Sequence, residues 1–184
     1  DIDYYDVLIV DIGGRYGVLS AFNGGSLQSV HLVDFGGENF TEKLSERLNA
    51  TYEQAEMFKM NVGFDADKED GRVFLALEDV MQSLIDEMRK VVNDYEEKNN
   101  KKIKKIILSG GSSLIPKLGE YIYENLSIEA EIGRPRARNM VLDYLKSNNI
   151  TGGIDTIFFT TTLGLASKYF GVKSDFDVGI NLLK

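Results

Sequence analysis

The chain has 184 residues, of which 43% are hydrophobic, so it is long and apolar enough to form one large domain or two small ones. It contains no cysteine, which excludes disulfides and thiolate metal sites and favours a reducing, cytosolic compartment. The formal net charge of -8 argues against a general nucleic-acid surface, and no apolar run approaches the roughly 20 residues that span a bilayer, so direct membrane insertion is not expected.

Three strands are predicted at the start of the chain, within residues 5–35. The apolar run Val7-Leu8-Ile9-Val10 is typical of a buried strand. Two further strands, over residues 18–22 and 27–33, are joined by Asn23-Gly24-Gly25, whose glycines accept the positive φ of a tight hairpin turn. The pattern therefore predicts an antiparallel meander.

Three helices are predicted next, over residues 38–48, about 52–60 and about 73–97. The first and third carry apolar residues at helical spacing along one face. Thr51 and Gln54 have the spacing of a capping box, which predicts where the second helix begins. The polar, glycine-terminated segment 65–71 marks a surface loop before the longest helix.

The remaining predicted elements are strands over residues 103–108 and 128–132 and helices over residues 114–126 and 156–170. Ser112 or Ser113 is expected to cap the helix at 114, with Pro116 in its first turn, where the missing N–H does no harm. The whole order predicts an α/β fold with a mixed sheet, because the opening hairpins must be antiparallel.

Diglycine turns follow predicted strands at three places along the chain. The turns, with the aspartate that precedes the first, are Asp11 with Gly13 and Gly14, then Gly36 and Gly37, then Gly110 and Gly111. Glycine allows close approach of the backbone, and successive backbone N–H groups bind phosphate. Each turn alone is more often a plain strand end. Their joint order predicts a single nucleotide cleft with one carboxylate beside a metal.

The order of these motifs resembles the second half of actin-like ATPases, which have a ribonuclease H-like fold, and is most similar to the PilM family, with the cell-division protein FtsA as a cousin. The segments that carry the resemblance are residues 7–14, 35–41, 55–59 and 107–118. It implies a mixed five-stranded sheet flanked by helices over residues 1–171, an insert subdomain over roughly 38–100, and a separate tail over 172–184.

The resemblance also implies ligands and roles. Asp11 would orient Mg²⁺ through water, and the N–H groups of Gly13 and Gly14 would face the phosphates. Gly36 and Gly37 would lie near the phosphates and the ribose, and Glu56 and Lys59 would contact the nucleoside from one helix face. Gly110, Gly111 and Ser112 would form the adenosine turn. The implied cofactors are ATP and Mg²⁺ in the complete protein, with weak or absent binding by this chain alone. No catalytic residue is assigned, and hydrolysis is left open.

Two features depart from the family pattern, and the tail adds a third observation. Gly17 stands where the family usually has threonine, so a hydroxyl near the phosphates is missing. The first half of an actin-like protein is absent, and one wall of a cleft is not expected to hold a triphosphate.

The tail resembles the motif with which PilN docks onto PilM, at Ile180, Asn181, Leu182 and Leu183. Docking could occur in cis or in trans, and simple packing of the chain end is an equal alternative.

The function that the resemblance implies is a cytoplasmic platform for type IV pilus assembly, peripheral to the inner membrane through a PilN-like protein and other pilus proteins. One alternative is a phosphotransferase or ATPase of the actin superfamily, although no acceptor-substrate motif is visible. Another is an FtsA-like scaffold, which predicts a basic amphipathic C-terminal helix, whereas residues 174–184 are short and acidic. Homo-oligomerisation is left open.

Overall fold

The computed structural model describes residues 6–24 and 26–133. Within them lie five strands and four α-helices. The strands are β1 (Val7–Ile12), β2 (Gly17–Asn23), β3 (Ser26–Val33), β4 (Lys105–Ser109) and β5 (Ala130–Ile132). The helices are α1 (Gly37–Leu48), α2 (Tyr52–Asn61), α3 (Arg72–Asn99) and α4 (Leu118–Leu126). Short 3-10 turns, Glu69–Gly71 and Gly111–Leu114, precede α3 and α4.

The sheet is mixed, as predicted, with the strand order β3-β2-β1-β4-β5. The two hairpin pairs, β1 with β2 and β2 with β3, are antiparallel, whereas β4 is parallel to both β1 and β5. In the β1–β4 pair, Asp11 lies opposite Ser109. The carboxyl ends of two strands that each precede a diglycine turn therefore meet at one edge of the sheet.

The main core lies between one face of the sheet and the helices. Leu8 and Val10 of β1 are fully buried in the same apolar cluster as Phe40 of α1 and Leu77 of α3. Residues of the opposite face form a second cluster, Val7, Ile9, Phe22 and Ile107. Because side chains alternate along a strand, Asp11 falls on the face of this second cluster, at its end nearest the turns.

The first three predicted helices are confirmed, each within two residues at either end. The predicted capping box at the start of α2 is also present. The Thr51 hydroxyl accepts from the backbone N–H of Gln54 at 3.3 Å, and the Gln54 side-chain oxygen accepts from the backbone N–H of Thr51 at 2.9 Å. Each residue thus satisfies a donor that the helix itself leaves unpaired.

The predicted helix over residues 114–126 is wrong in its first turn. Ile115 has an extended backbone with ψ 125°, and α4 begins only at Leu118. A proline disfavours the helical conformation in the residue before it, so Pro116 keeps Ile115 out of a helix instead of lying in its first turn. Lys117, with φ +59°, then turns the chain into α4.

The two serines after the third diglycine have partners other than α4. The Ser113 hydroxyl donates to the Gly110 carbonyl at 2.7 Å, and the Ser112 hydroxyl points to the Gly13 carbonyl at 3.4 Å. Neither serine caps α4. The helix N-terminus expected beside the adenosine turn is therefore only a single 3-10 turn, Gly111–Leu114.

The fifth strand is confirmed at Ala130–Ile132, and among residues 6–24 and 26–133 no helix is both long and apolar enough to cross a bilayer. The insert subdomain over roughly 38–100 stays a prediction. The predicted helix over 156–170, the tail over 172–184 and its motif at 180–183 lie outside the described residues.

Candidate nucleotide site

The first two diglycine turns are hydrogen-bonded directly to each other. The backbone N–H of Gly37 donates to the Gly13 carbonyl at 2.9 Å, and that of Glu38 donates to the Gly14 carbonyl at 2.7 Å. These bonds join the start of α1 to the turn that leaves β1 just after Asp11. Two segments far apart in the predicted element order thus form one continuous loop surface.

The third turn packs against the strand end that carries Asp11. Gly110 has φ +81°, and a Cβ there would lie 2.4 Å from the Ile12 carbonyl oxygen and 2.6 Å from a carboxylate oxygen of Asp11. Only glycine fits this conformation and this space. The predicted convergence of the three turns is therefore confirmed in geometry, while their roles toward a ligand stay predictions.

Close packing and open space alternate along the turns. A Cβ on Gly36 would lie 2.5 Å from the Gly14 carbonyl oxygen, and one on Gly37 would lie 2.6 Å from the Ser112 hydroxyl. At Gly14, by contrast, the nearest atom would be 3.8 Å away, on the side chain of Glu38. The turn after β1 is thus open at Gly14, where a ligand can approach.

Most backbone N–H groups of the first two turns already have hydrogen-bond partners within the protein. Gly13 donates its N–H to the Tyr16 carbonyl at 3.0 Å, so this donor already has a partner within the protein, and its predicted contact with phosphate stays a prediction. The N–H groups of Gly36 and Gly37 are likewise bonded within the protein. Among the described residues, no acceptor pairs with the backbone N–H of Gly14, which leaves that group available.

Asp11 is desolvated at the junction of the turns. Burial raises the pKa of its carboxyl above the ordinary 3.8, and the neighbouring Ser109 hydroxyl opposes that rise. Ser109 is only 4% exposed, and its hydroxyl makes no well-aligned hydrogen bond within residues 6–24 and 26–133. Buried polar groups are normally paired. A partly satisfied hydroxyl beside a desolvated carboxylate fits a place where water, metal or ligand completes the contacts.

A single carboxylate, that of Asp11, is enough for a magnesium ion that binds together with a nucleotide. In the part of the chain that the structure describes, no group of three or more His, Cys, Asp or Glu residues could hold a metal by itself. Mg²⁺ keeps several waters and takes phosphate oxygens with only one or two carboxylates. Asp11 fits that requirement through water.

Glu56 and Lys59 form a cluster with the start of α1. The Lys59 ammonium nitrogen lies 2.6 Å from Glu56 Oε2, 2.8 Å from Thr41 Oγ1 and 3.2 Å from the Gly37 carbonyl oxygen. Thr41 Oγ1 also lies 2.6 Å from Glu56 Oε2. Burial alone would raise the pKa of Glu56, but hydrogen bonds from Lys59 and Thr41, with the charge of Lys59, hold it below the ordinary 4.5.

Sequence patterns did not single out Thr41 or Ser109, yet both are buried in the site. Thr41 lies one helical turn after Gly37, beside the apolar position Phe40. A polar residue on the core-facing side of α1 was the feature of the sequence that could have indicated a role for Thr41. Ser109 directly precedes the third diglycine, but its position beside Asp11 depends on strand register, which local pattern does not reveal.

The glycine that departs from the family pattern has a packing reason. Gly17 lies opposite Val33 in the β2–β3 hairpin. A Cβ at this position would lie 2.8 Å from a Val33 methyl carbon and 3.1 Å from the Phe35 carbonyl oxygen. A threonine would therefore clash, and the missing hydroxyl follows from how the hairpin packs.

A cavity of about 320 Å³ lies between the ends of β4 and β5 and the start of α4. Residues that line it include Leu108, Ser113, Ile115, Leu118, Ala130 and Ile132. None of the ten predicted ligand residues lines this cavity. Of those ten residues only Gly14 is exposed, while Gly36, Gly37, Lys59 and Ser112 are buried.

Comparison with known proteins decides the family. The family model described as type IV pilus assembly protein PilM matches residues 3–170. This chain belongs to the PilM family. The matched range includes all ten predicted ligand residues, from Asp11 to Ser112, and excludes the last fourteen residues of the chain.

Individual relatives agree with membership in the PilM family. Cell division protein FtsA of Buchnera aphidicola subsp. Baizongia pistaciae is 26% identical over 194 aligned positions, covering 91% of this chain and 44% of that protein. A solved PilM–PilN type IV pilus biogenesis complex has a TM-score of 0.67 at 21% identity, covering 94% of this chain and 48% of that chain. This chain therefore spans less than half the length of either relative.

A third comparison supports the same fold. MreB 5 of Spiroplasma citri, solved bound to AMPPNP, has a TM-score of 0.51 at 15% identity and is matched by 82% of this chain. At such identities the likeness shows the fold alone. The PilM-family chain has the actin-like fold that its motifs predicted.

Proposed function

We propose that this PilM-family chain carries the nucleotide-facing half of a cytoplasmic platform for type IV pilus assembly, with ATP as a structural or switching ligand. The observation that carries the proposal is the junction of the three turns. Gly37 is hydrogen-bonded to Gly13, and Gly110 packs against the Asp11 carboxylate. The PilM family match and the likeness to a nucleotide-bound MreB support the same conclusion.

The chemistry of the junction suits a magnesium-bound triphosphate. The open N–H of Gly14 would donate to a phosphate oxygen, and Asp11 would hold a water of the metal. When bound, Mg²⁺ neutralises charge on the phosphates. Glu56 is linked to the Gly37 carbonyl through Lys59, and the nucleoside would lie beside Glu56.

The proposed partners follow from the family and from one relative. The solved PilM is in complex with PilN. We propose that a PilN-like inner-membrane protein, with other pilus assembly proteins, binds the protein that contains this chain and holds it at the inner membrane. The second half of a nucleotide cleft would come from the rest of the protein, since this chain spans about half of its relatives.

Isothermal titration calorimetry of the full-length gene product with MgATP tests the nucleotide site. We expect Asp11→Ala to weaken MgATP binding about tenfold or more, because a charge-assisted contact is worth about 1.5–3 kcal/mol. Glu42→Ala, which removes an exposed acid of α1, is the matched control and should bind as the wild type does. Equal affinity in the Asp11→Ala variant and the wild type would remove the proposed role of Asp11. No measurable binding by the wild type would overturn the nucleotide proposal itself.

A further inference from the structure

The edge strand β3 carries exposed apolar side chains. In the sheet formed by the described residues, β3 pairs with β2 on one side and lies at the edge on the other. Leu27 is 46% exposed, Val30 is 55% exposed and Leu32 is 73% exposed. An apolar edge strand of this kind favours pairing with a further strand, because its outer backbone groups can bond to one.

The three exposed side chains of β3 lie on one face of the sheet. Leu27 lies opposite Phe22, a buried member of the second apolar cluster, and Val30 lies opposite Ser20 on the same face of β2. Leu32 is two residues beyond Val30 and therefore shares that face. The three side chains form an exposed apolar row at the edge of a face whose centre is buried.

The hairpin of β2 and β3 lacks the features that normally prevent edge strands from pairing. Natural edge strands carry charged side chains, prolines or bulges for this purpose. Residues 16–33 contain no Asp, Glu, Lys, Arg or Pro, in a chain of which 27% is charged. A bulge lies at Ala21 and Phe22, near the hairpin turn, whereas residues 29–33 pair with β2 in regular register. The part of β3 with Val30 and Leu32 can therefore accept another strand.

The absence of charge indicates which strand would pair there. A charged segment of another protein finds no opposite charge along residues 16–33. Two copies of this chain, each with a net charge of -8, repel each other across their charged surfaces but not across this hairpin. An antiparallel strand can also pair with a second copy of itself, since a two-fold axis brings the same surface of both copies together.

We propose that two copies of this protein pair through β3 in antiparallel orientation, so that their sheets join into one. A two-fold axis perpendicular to the sheet keeps equivalent faces together, so the apolar row of one copy would contact the same row of the other. The paired strands run in opposite directions, so the nucleotide turns of the two copies would lie at opposite ends of the joined sheet. The inference therefore goes beyond the proposed function and does not rest on it.

Analytical ultracentrifugation of the full-length gene product over a concentration series tests this interface. We expect the wild type to pass from monomer to dimer. Val30→Lys and Leu32→Lys should each raise the dissociation constant about tenfold or more, because each places a charge in an apolar interface. Leu75→Lys, at a 63% exposed position of α3, is the matched control and should dimerise as the wild type does.

The choice of lysine separates a local effect from a general effect of charge. Each substitution lowers the net negative charge of this chain, so a general effect would strengthen association instead of weakening it. A wild type that stays monomeric at every concentration would overturn the proposal. So would a dimer that Val30→Lys and Leu32→Lys leave unchanged, or one that Leu75→Lys weakens equally, because β3 would then not be the interface.

Hydrogen exchange of the wild type distinguishes the other possible occupants of the edge. The amides of residues 29–33 that point away from β2 should exchange more slowly in the concentrated dimer than in the diluted monomer. Slow exchange at every concentration would mean that another segment of the full-length protein pairs with β3. Fast exchange in a protein that never associates would leave β3 to a different protein. Either result contradicts pairing between two copies.

Discussion

Two polar residues of the site, Asp11 and Lys59, are both removed from water, and the protein compensates them differently. Lys59 is paired with three oxygens, so its burial is offset inside the protein. Asp11 has only the nearby Ser109 hydroxyl to oppose its desolvation. Uncompensated burial of a charge is typical of groups that act on a ligand, because the ligand or metal supplies the missing partner.

Replacing Asp11 by asparagine should therefore stabilise the protein without nucleotide. The raised pKa means that ionisation of Asp11 is less favourable in the folded state, so its contribution to stability is present below pH 3.8 and is lost as the pH rises through the folded pKa. At pH 7 we expect Asp11→Asn to raise the free energy of unfolding by roughly 0.5–1 kcal/mol.

Urea unfolding at pH 7 and near pH 4 measures this effect, and Asp34→Asn, which changes an exposed acid after β3, is its control. The difference between Asp11→Asn and the wild type should shrink at the lower pH, where Asp11 is increasingly protonated in both states. A less stable Asp11→Asn variant at pH 7 would show that the carboxylate is well compensated after all.

Among the four described α-helices, α2 buries the fewest residues and depends most on its own ends. Only Ala55 and Lys59 of α2 are buried, whereas α3 buries ten residues along a continuous stripe. A helix of ten residues with so little apolar burial is marginal by itself. The Thr51–Gln54 capping box therefore matters more to α2 than caps matter to α3, and α2 is the element that carries Glu56.

Thr51→Ala should lower the free energy of unfolding by about 1 kcal/mol, because the N–H of Gln54 loses its acceptor. Thr51→Ser keeps the hydroxyl oxygen and should lose much less. Urea unfolding gives the size of the effect, and hydrogen exchange should show the first turn of α2 opening more often in Thr51→Ala. An equal loss in both variants would mean that packing of the threonine methyl group, and not the cap, stabilises this end.

At the scale of the whole molecule, the main core of the described residues joins α1 to α4 with one face of the sheet. The first and third turns follow the carboxyl ends of β1 and β4, and Gly14 is exposed there. In the proposed function, the rest of the protein would complete a cleft over these turns.

A synthetic peptide that contains Ile-Asn-Leu-Leu should bind the full-length gene product in a fluorescence polarisation assay, if this PilM-family protein docks a PilN-like partner. The same peptide with its residues in scrambled order is the control. Truncation after Gly179 removes the chain's own copy of the motif and should increase the affinity if that copy competes in cis. No binding by either form of the protein would contradict a PilN-like partner that uses this motif.

The sequence by itself determined the elements and the order of the turns, because strand and helix periodicity, capping residues and glycine pairs act over a few neighbouring positions. It was right for the three opening strands, for α1 to α3 and for the family. It failed at α4, where the conformation of Ile115 before Pro116 outweighed the serine caps.

Only the tertiary structure decided which polar groups of the turns have partners within the protein. The N–H of Gly13 closes its own turn, Ser109 reaches Asp11 through strand register, and Thr41 takes two charged partners from α2. Each of these results depends on hydrogen bonds between segments that the chain brings together only when it folds. A donor that the local sequence pattern leaves unpaired can bond to such a partner, so the folded backbone, and not the motif, determines which donors stay unpaired.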